Sequence, residues 1–191
     1  MPDPGPERPA TPQPADHPEE DQPITKISVV CTGNICHSPM GEVMLAQALR
    51  ESNNPAHQNI TVNSCGLGDW HVGDGADPRA VDELKTHGYD GSKHVAATFG
   101  PEHADADLFL AMDKSHASGL KRLGIDPLKI HLFRAFDPAS VTVERPHPEV
   151  ADPYYGSQSD FEEAAREIEA AVPGILEFLD AIAAEGGNPT E

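Results

Sequence analysis

The clearest chemistry lies in residues 31–39, where a cysteine is followed by a short loop and a serine–proline pair. Gly33 and Asn34 are the residue types that most readily adopt positive φ, and Ser38 suits a helix N-cap with proline in the first turn. A loop that enters a helix N-terminus points backbone N–H groups inward and can hold an anion. The same N–H groups are expected to lower the pKa of Cys31, so the pattern predicts a nucleophilic thiolate beside a bound oxyanion.

Apolar patterning around this loop predicts strands that alternate with helices. The predicted strands cover residues 27–30, 60–63, 106–112 and 129–133. The predicted helices cover residues 39–51, 78–87, 114–123 and 159–184, and the last is expected to kink or split at residues 173–174. Alternation of this kind implies an α/β three-layer sandwich with a central four-stranded parallel sheet and helices on both faces. Ligands bind beyond the carboxyl ends of such strands, and Cys31 lies at such an end.

Composition bounds the partners and the compartment. The chain has 191 residues, enough for one domain, and its formal net charge of −19 disfavours nucleic acid and anionic membranes because both are polyanions. No apolar run approaches the ~18 residues of a membrane-spanning helix, and no signal-peptide pattern opens the chain. Three cysteines, two of them in one loop, are not a disulfide framework. We therefore expect a reducing cytoplasm, with export without a signal peptide as the alternative. We also expect a monomer.

The chain divides into a folded region and two tails. Residues 1–23 are acidic and rich in proline, so they cannot bury apolar surface and are predicted to be disordered. We interpret this tail as a solvated segment rather than as a polyproline ligand of an adaptor domain. The folded domain is predicted at residues 24–185, with a second disordered tail at residues 186–191.

The loop resembles the active-site loop of the low-molecular-weight protein tyrosine phosphatases, which has a cysteine, five residues, an arginine and a Ser-Pro pair. In this chain His37 stands at the arginine position. Further segments resemble the family in the same order along the chain, at residues 68–73 with 77–80, 86–88, 111–115, and 152–156 with 160–162. Together these segments carry the resemblance from residue 24 to about residue 184. Several segments in order are a far more specific signal than one loop.

The resemblance implies a catalytic role for two side chains. Cys31 would attack the phosphorus of an aryl phosphate and form a cysteinyl phosphate. Asp152 would protonate the leaving phenolate and then act as the base for the hydrolytic water. The remaining loop residues would surround the phosphate, namely Thr32, Gly33, Asn34, Ile35, Cys36 and Ser38.

Other residues would support the loop or bind the substrate, again as the resemblance implies. Ser64 and His87 would brace Asn34 and Ser38. Trp70, Tyr154 and Tyr155 would form the walls of a slot deep enough to favour phosphotyrosine. The substrate would be a tyrosine-phosphorylated protein or peptide and the product inorganic phosphate.

Two further expectations concern the cysteines and metals. Cys31 and Cys36 are close enough in sequence for a reversible disulfide that protects the nucleophile from over-oxidation. The ten histidines are scattered without ligand spacing, so neither a metal nor another cofactor is expected.

His37 leaves the function open between alternatives. Arginine is always charged and grips two phosphate oxygens, whereas histidine offers one N–H and is mostly neutral near pH 7. Losing such a donor costs ~3–5 kcal/mol of transition-state stabilisation. The first hypothesis is therefore a weakened tyrosine phosphatase that works better at acid pH. The second is a phosphotyrosine- or phosphate-binding pseudophosphatase, and the third is an arsenate reductase, for which Cys65 is the sole further redox candidate.

Overall fold

A computed structural model describes residues 23–186. The strands are β1 at Lys26–Cys31, β2 at Thr61–Gly66, β3 at Leu108–Ala111 and β4 at Ile130–Leu132. They form one parallel sheet in the order β2-β1-β3-β4, which confirms the predicted four-stranded parallel sheet. The predicted disordered tails lie outside the described residues, apart from Pro23 and Gly186 at their inner ends.

Helices cover both faces of the sheet. They are α1 at His37–Glu51, α2 at Pro78–Thr86, α3 at Pro101–Ala104, α4 at Lys114–Arg122 and α5 at Gln158–Glu185. One face carries α1, α2 and α5, and the other carries α3 and α4. The predicted three-layer sandwich is therefore confirmed. Within residues 23–186, no helix is both long and apolar enough to cross a membrane.

The central strand β1 positions the loop that follows it. Ile27, Val29 and Val30 are fully buried. Because side chains alternate along a strand, Val29 packs on the α1–α5 face and Val30 on the α4 face. Pairing with β2 on one side and β3 on the other brings Cys31 to the carboxyl edge in the middle of the sheet.

The strand β2 is longer than the sequence predicted. It continues through residues 64–66, because these pair with the last three residues of β1. A Cβ on Gly66 would lie 2.4 Å from the carbonyl oxygen of Thr32, so the close approach of loop and strand requires glycine. The extra length brings Ser64 next to the loop.

The helix α5 runs through Pro173, so of the predicted kink or split the split does not occur, and the kink stays a prediction. Pro173 is exposed, and water can therefore satisfy the carbonyl whose hydrogen bond the proline removes. Gly174 faces the 3₁₀ turn Phe133–Phe136 instead. A Cβ on Gly174 would lie 1.8 Å from the carbonyl oxygen of Phe136. Glycine thus serves packing here rather than helix termination.

We expect Gly174→Ala to lower the free energy of unfolding by about 1–3 kcal/mol, because the added methyl group overpacks this contact. Replacing glycine by alanine at an exposed helix position would instead raise the free energy of unfolding. The direction of the change therefore distinguishes overpacking from helix propensity. Urea denaturation measures the effect, with the exposed Glu177→Ala on the same helix as a control expected within ~0.5 kcal/mol of the parent. An equally or more stable Gly174→Ala protein would contradict the close contact.

Candidate active site

A cavity of about 360 Å³ opens at the carboxyl end of β1. Residues 31–37 line its floor, and Trp70, Tyr154, Tyr155 and Asp152 line its walls. The fold thus brings together three segments that are far apart in sequence, at residues 31–37, 70–71 and 152–155. Ser38 is buried directly beneath the floor.

His71 also lines the cavity, and sequence reasoning missed it. Its Nδ1 lies 3.2 Å from a carboxylate oxygen of Asp74, and its Cδ2 would lie 3.3 Å from a Cβ on Gly33. The ring therefore sits over the loop backbone, with a centroid 6.1 Å from that of Tyr154. Its position directly after Trp70 in the same loop was the available signal.

The thiol of Cys31 is held by the loop itself. Its Sγ lies 2.7 Å from the hydroxyl oxygen of Ser38 and accepts the backbone N–H of Asn34 at 3.2 Å. Burial nevertheless raises the pKa of Cys31 above its ordinary value, and these hydrogen bonds only partly counteract that effect. The prediction of a lowered pKa for Cys31 is therefore wrong. The negative charge of Asp152 raises this pKa further.

Asn34 is the structural centre of the loop. It has a φ of 58°, in the left-handed region that its residue type tolerates. Its side-chain amide donates to the hydroxyls of Ser38 and Ser64, each at 2.9 Å. Its side-chain oxygen accepts the backbone N–H of Ala97 at 2.9 Å. Ser64 thus has the contact that the sequence predicted for it.

His87 does not contact this loop, and the prediction that it braces Asn34 is wrong. It lies between α2 and α5, 3.0 Å from Glu83 and 2.7 Å from Glu169. Burial lowers its pKa, but the hydrogen bonds to Glu169 and Glu83 outweigh burial and raise the pKa above its usual value. His94 occupies the bracing position instead, and its Nε2 donates to the carbonyl oxygen of Asn34 at 2.7 Å. Both histidines flank the turn after α2, and local pattern could not separate them.

Glu42 links the bracing residues to α1. Its carboxylate accepts a short hydrogen bond from the hydroxyl of Ser64 and lies 3.5 Å from Nδ1 of His94. Both Ser64 and His94 also bond Asn34. The loop is therefore supported by hydrogen bonds from α1, β2 and the segment at residues 94–97 together.

His37 is fully buried, and neither of its ring nitrogens has a hydrogen-bond partner among the described residues. Burial lowers the pKa of His37 to about 4, against an opposing effect of Asp152 and Asp113. The imidazole is consequently neutral at pH 7. The site therefore presents an uncharged ring where the family loop has arginine.

His116 is a second buried imidazole that sequence reasoning missed. Its ring centroid is 5.8 Å from that of His37, in an edge-to-face arrangement. Its Nδ1 accepts the backbone N–H of Asp113 at 3.2 Å, which leaves Nε2 to donate to the hydroxyl of Thr32 at 2.8 Å. The capping pair of Asp113 and His116 at the start of α4 was the sequence signal for this position.

Arg79 connects the loop of Asp152 to the floor of the cavity. Its guanidinium donates to the carbonyl oxygens of Tyr154 at 2.9 Å and Gly156 at 3.2 Å. It also donates to the carboxylate of Asp77 at 2.8 Å. The backbone N–H of Asp77 in turn donates to the carbonyl oxygen of Ile35 at 2.7 Å. Arg79 therefore positions the wall of the cavity relative to its floor.

The remaining cysteine and metal expectations concern the same region. Cys31, Cys36 and Cys65 are all free thiols. Burial raises the pKa of Cys36 as well. The reversible Cys31–Cys36 disulfide stays a prediction. Among residues 23–186, no group of three or more histidine, cysteine or carboxylate side chains could hold a metal ion.

Comparisons with known proteins agree with this geometry. A family model described as low molecular weight phosphotyrosine protein phosphatase matches residues 26–185. Low molecular weight protein-tyrosine phosphatase A of Mycobacterium tuberculosis is 45% identical over 161 residues, which cover 84% of this chain and 95% of that protein. The chain therefore belongs to the low molecular weight phosphotyrosine protein phosphatase family.

Solved structures show the same fold. The tyrosine phosphatase amsI of Erwinia amylovora has a TM-score of 0.68 and 31% identity, covering 83% of this chain and 95% of that one. An arginine phosphatase of Drosophila has a TM-score of 0.70 and 27% identity, covering 80% of this chain and 96% of that one.

We expect His94→Ala to lower kcat/KM on an aryl phosphate by roughly tenfold to a hundredfold, because the carbonyl of Asn34 loses its donor and the loop shifts. His87→Ala is the matched variant, since it removes a histidine at the other end of the same turn. It should keep kcat/KM within about twofold, because it contacts only α2 and α5. Steady-state kinetics of both variants decide the assignment, and the opposite ranking would restore His87 as the bracing residue.

Proposed function

We propose that the protein hydrolyses phosphotyrosine in proteins or peptides through a phosphate ester of Cys31. The observation that carries this proposal is the position of the Cys31 thiol, which lies on the floor of a cavity whose wall includes Asp152. The backbone N–H of Asn34 points at its sulfur. Membership of a phosphatase family supports the reaction class. Inorganic phosphate is the second product.

Cys31 acts as the nucleophile in this proposal. A thiol must lose its proton before it attacks, and the Ser38 hydroxyl and the Asn34 N–H are the groups in contact that favour the thiolate. Backbone N–H groups of residues 31–38 neutralise the phosphoryl oxygens, as expected for a loop that enters a helix N-terminus. The Ser38 hydroxyl then stabilises the sulfur when the cysteinyl phosphate is cleaved.

Asp152 acts as the general acid and then as the base. Its carboxylate is exposed at the wall of the cavity and accepts the backbone N–H of Tyr154 at 3.1 Å. A carboxyl group at the mouth is well situated to protonate a leaving oxygen that points out of the cavity. The same group can take the proton of the water that hydrolyses the cysteinyl phosphate.

The aromatic walls support an aryl substrate. The rings of Tyr154 and Tyr155 meet edge to face, with centroids 4.8 Å apart. Trp70 is 74% exposed and Tyr155 is 95% exposed, so large apolar faces are open to a ligand. Aromatic faces stack on a phenyl ring. These walls favour phosphotyrosine over the phosphoarginine suggested by the relatives named arginine phosphatases.

His37 sets the expected level of activity. A neutral imidazole replaces a charged, bidentate donor, at a cost of ~3–5 kcal/mol in the transition state. Because the pKa of His37 is lowered to about 4, the expected gain at acid pH applies only as the pH approaches that value. A protein that binds phosphotyrosine without turnover is the competing function. The observation that favours it is the uncharged ring of His37, which has no hydrogen-bond partner among the described residues.

The remaining expectations concern the protein in the cell. Three free thiols support a reducing compartment such as the cytoplasm. We propose a monomer in which residues 24–185 form the phosphatase domain.

We expect Cys31→Ser to abolish hydrolysis of an aryl phosphate and His37→Arg to raise kcat/KM by ~10-fold or more, since arginine restores a charged fork at the phosphate. Initial rates on p-nitrophenyl phosphate between pH 5 and 8 measure both. A His37→Arg protein no faster than the parent would contradict the proposed role of position 37. A parent without turnover and an active His37→Arg protein would identify the parent as a pseudophosphatase.

We expect Asp152→Ala to lower kcat by about 10²-fold or more on phenyl phosphate, because the poor leaving group loses its acid. The loss should be much smaller on p-nitrophenyl phosphate, whose leaving group departs without a proton. Asp69→Asn, an exposed carboxylate next to Trp70, is the control and should stay within about twofold on both. Equal losses of Asp152→Ala on the two substrates would contradict its role as general acid.

A further inference from the structure

We propose that the side-chain hydroxyl of Thr32 donates a hydrogen bond to an oxygen of the bound phosphoryl group, and that His116 holds this hydroxyl in position. The inference rests on the proposed function only in that it takes the cavity at Cys31 as the phosphate site. Thr32 is then a binding residue through its side chain as well as through the loop backbone. His116 is a positioning residue, because it acts through Thr32.

Thr32 is the loop residue whose side chain a ligand can contact most directly. It lines the cavity and is exposed, whereas residues 34–37 are buried. The other loop side chains that could donate are engaged within the protein, since the amide of Asn34 donates to the hydroxyl of Ser38 at 2.9 Å. The hydroxyl of Ser38 also lies 2.7 Å from the sulfur of Cys31. An anion on the cavity floor therefore has Thr32 as its accessible hydroxyl donor.

The hydrogen bond between Thr32 and His116 leaves the hydroxyl hydrogen available. Nδ1 of His116 accepts the backbone N–H of Asp113 at 3.2 Å, so Nε2 carries the ring hydrogen and donates to the Thr32 oxygen at 2.8 Å. Nε2 also carries a hydrogen in the charged ring, so the direction of this bond is the same in both protonation states. Among residues 23–186, no group accepts the hydrogen of the Thr32 hydroxyl.

His116 is itself fixed at the start of α4. Its ring is buried, and its backbone N–H donates to the carboxylate of the N-cap residue Asp113 at 3.0 Å. The χ1 angle of threonine is restricted, so a hydrogen bond from a fixed ring selects one orientation of the Thr32 hydroxyl. A hydroxyl that already accepts a hydrogen bond is a stronger donor, and a donor oriented in advance needs no reorganisation when an anion binds.

The alternative is that Thr32 and His116 only pack the loop. The ring of His116 lies edge to face against that of His37, with centroids 5.8 Å apart, so removal of His116 would also affect the packing of His37. Packing depends on the shape of a side chain, whereas the proposed contact depends on its hydroxyl or its N–H. Substitutions that keep shape and remove one polar group therefore separate the two interpretations.

Thr32→Val keeps the shape of the side chain and removes the hydroxyl. It should raise the Kd of inorganic phosphate in calorimetric titration and lower kcat/KM on p-nitrophenyl phosphate, each by about tenfold, because the anion loses one donor. Thr32→Ser restores the hydroxyl and should recover most of both losses. Thr142→Val, at an exposed threonine outside the cavity, is the control and should change neither value by more than about twofold.

His116→Leu removes the ring donor and should cost about threefold in both measurements, because the Thr32 hydroxyl loses its fixed orientation. His116→Gln can still donate from its side-chain amide and should recover most of that loss. The double variant Thr32→Val/His116→Leu should match Thr32→Val to within about twofold, since His116 acts through the hydroxyl. It also lacks the buried N–H that Thr32→Val alone leaves unpaired. Near-ultraviolet circular dichroism establishes that each variant is folded.

A Thr32→Val protein with the phosphate affinity of the parent, or a Thr32→Ser protein as impaired as Thr32→Val, would overturn the role of the hydroxyl. Losses that multiply in the double variant would overturn the role of His116 and indicate packing instead. Turnover that depends on Cys31 would still support the proposed function in each of these cases. A parent that binds phosphate through Thr32 without turnover would contradict the proposed function and support this inference, so the two failures are distinguishable.

Discussion

The active-site loop depends on the strained backbone of Asn34, which several elements of the fold hold by hydrogen bonds. Its left-handed backbone, with a φ of 58°, turns its own N–H toward the sulfur of Cys31 at 3.2 Å. That conformation costs an L-residue roughly 1–2 kcal/mol. Hydrogen bonds to Ser38, Ser64 and Ala97 offset the cost, and they come from α1, β2 and the segment before α3. Three separate elements of the fold therefore hold the conformation of Asn34 and the direction of its N–H.

Because His37 stands where the family loop has arginine, burial rather than a fixed positive charge determines the pKa values of Cys31 and His37. A fixed positive charge would favour the thiolate and the bound dianion alike. Without it, burial dominates, and it raises the pKa of Cys31 while lowering that of His37 to about 4. Both groups are therefore neutral before a ligand arrives. The backbone N–H groups remain, but their partial charges do not outweigh desolvation of the thiol.

Sequence patterns predicted the parts of this protein that depend on local chemistry. The buried run of β1 and the strand–helix alternation gave the parallel sheet, which the structure confirms. What failed depended on contacts between distant residues. The end of β2 is fixed by pairing with β1, and the continuity of α5 depends on which side of the helix Pro173 faces. The choice between His87 and His94 depends on where the chain returns to the loop, which no local pattern encodes.

The buried, neutral ring of His37 affects the stability of the fold. A buried imidazole that has no hydrogen-bond partner among residues 23–186 lowers the free energy of unfolding by about 1–3 kcal/mol. An apolar side chain of similar size would avoid that cost, and packing alone therefore gives no reason for histidine. The guanidinium of Arg79, by contrast, donates hydrogen bonds to the carboxylate of Asp77 and to the carbonyl oxygens of Tyr154 and Gly156. The guanidinium of Arg79 is thus paired within the protein, whereas the His37 ring has no hydrogen-bond partner among the described residues.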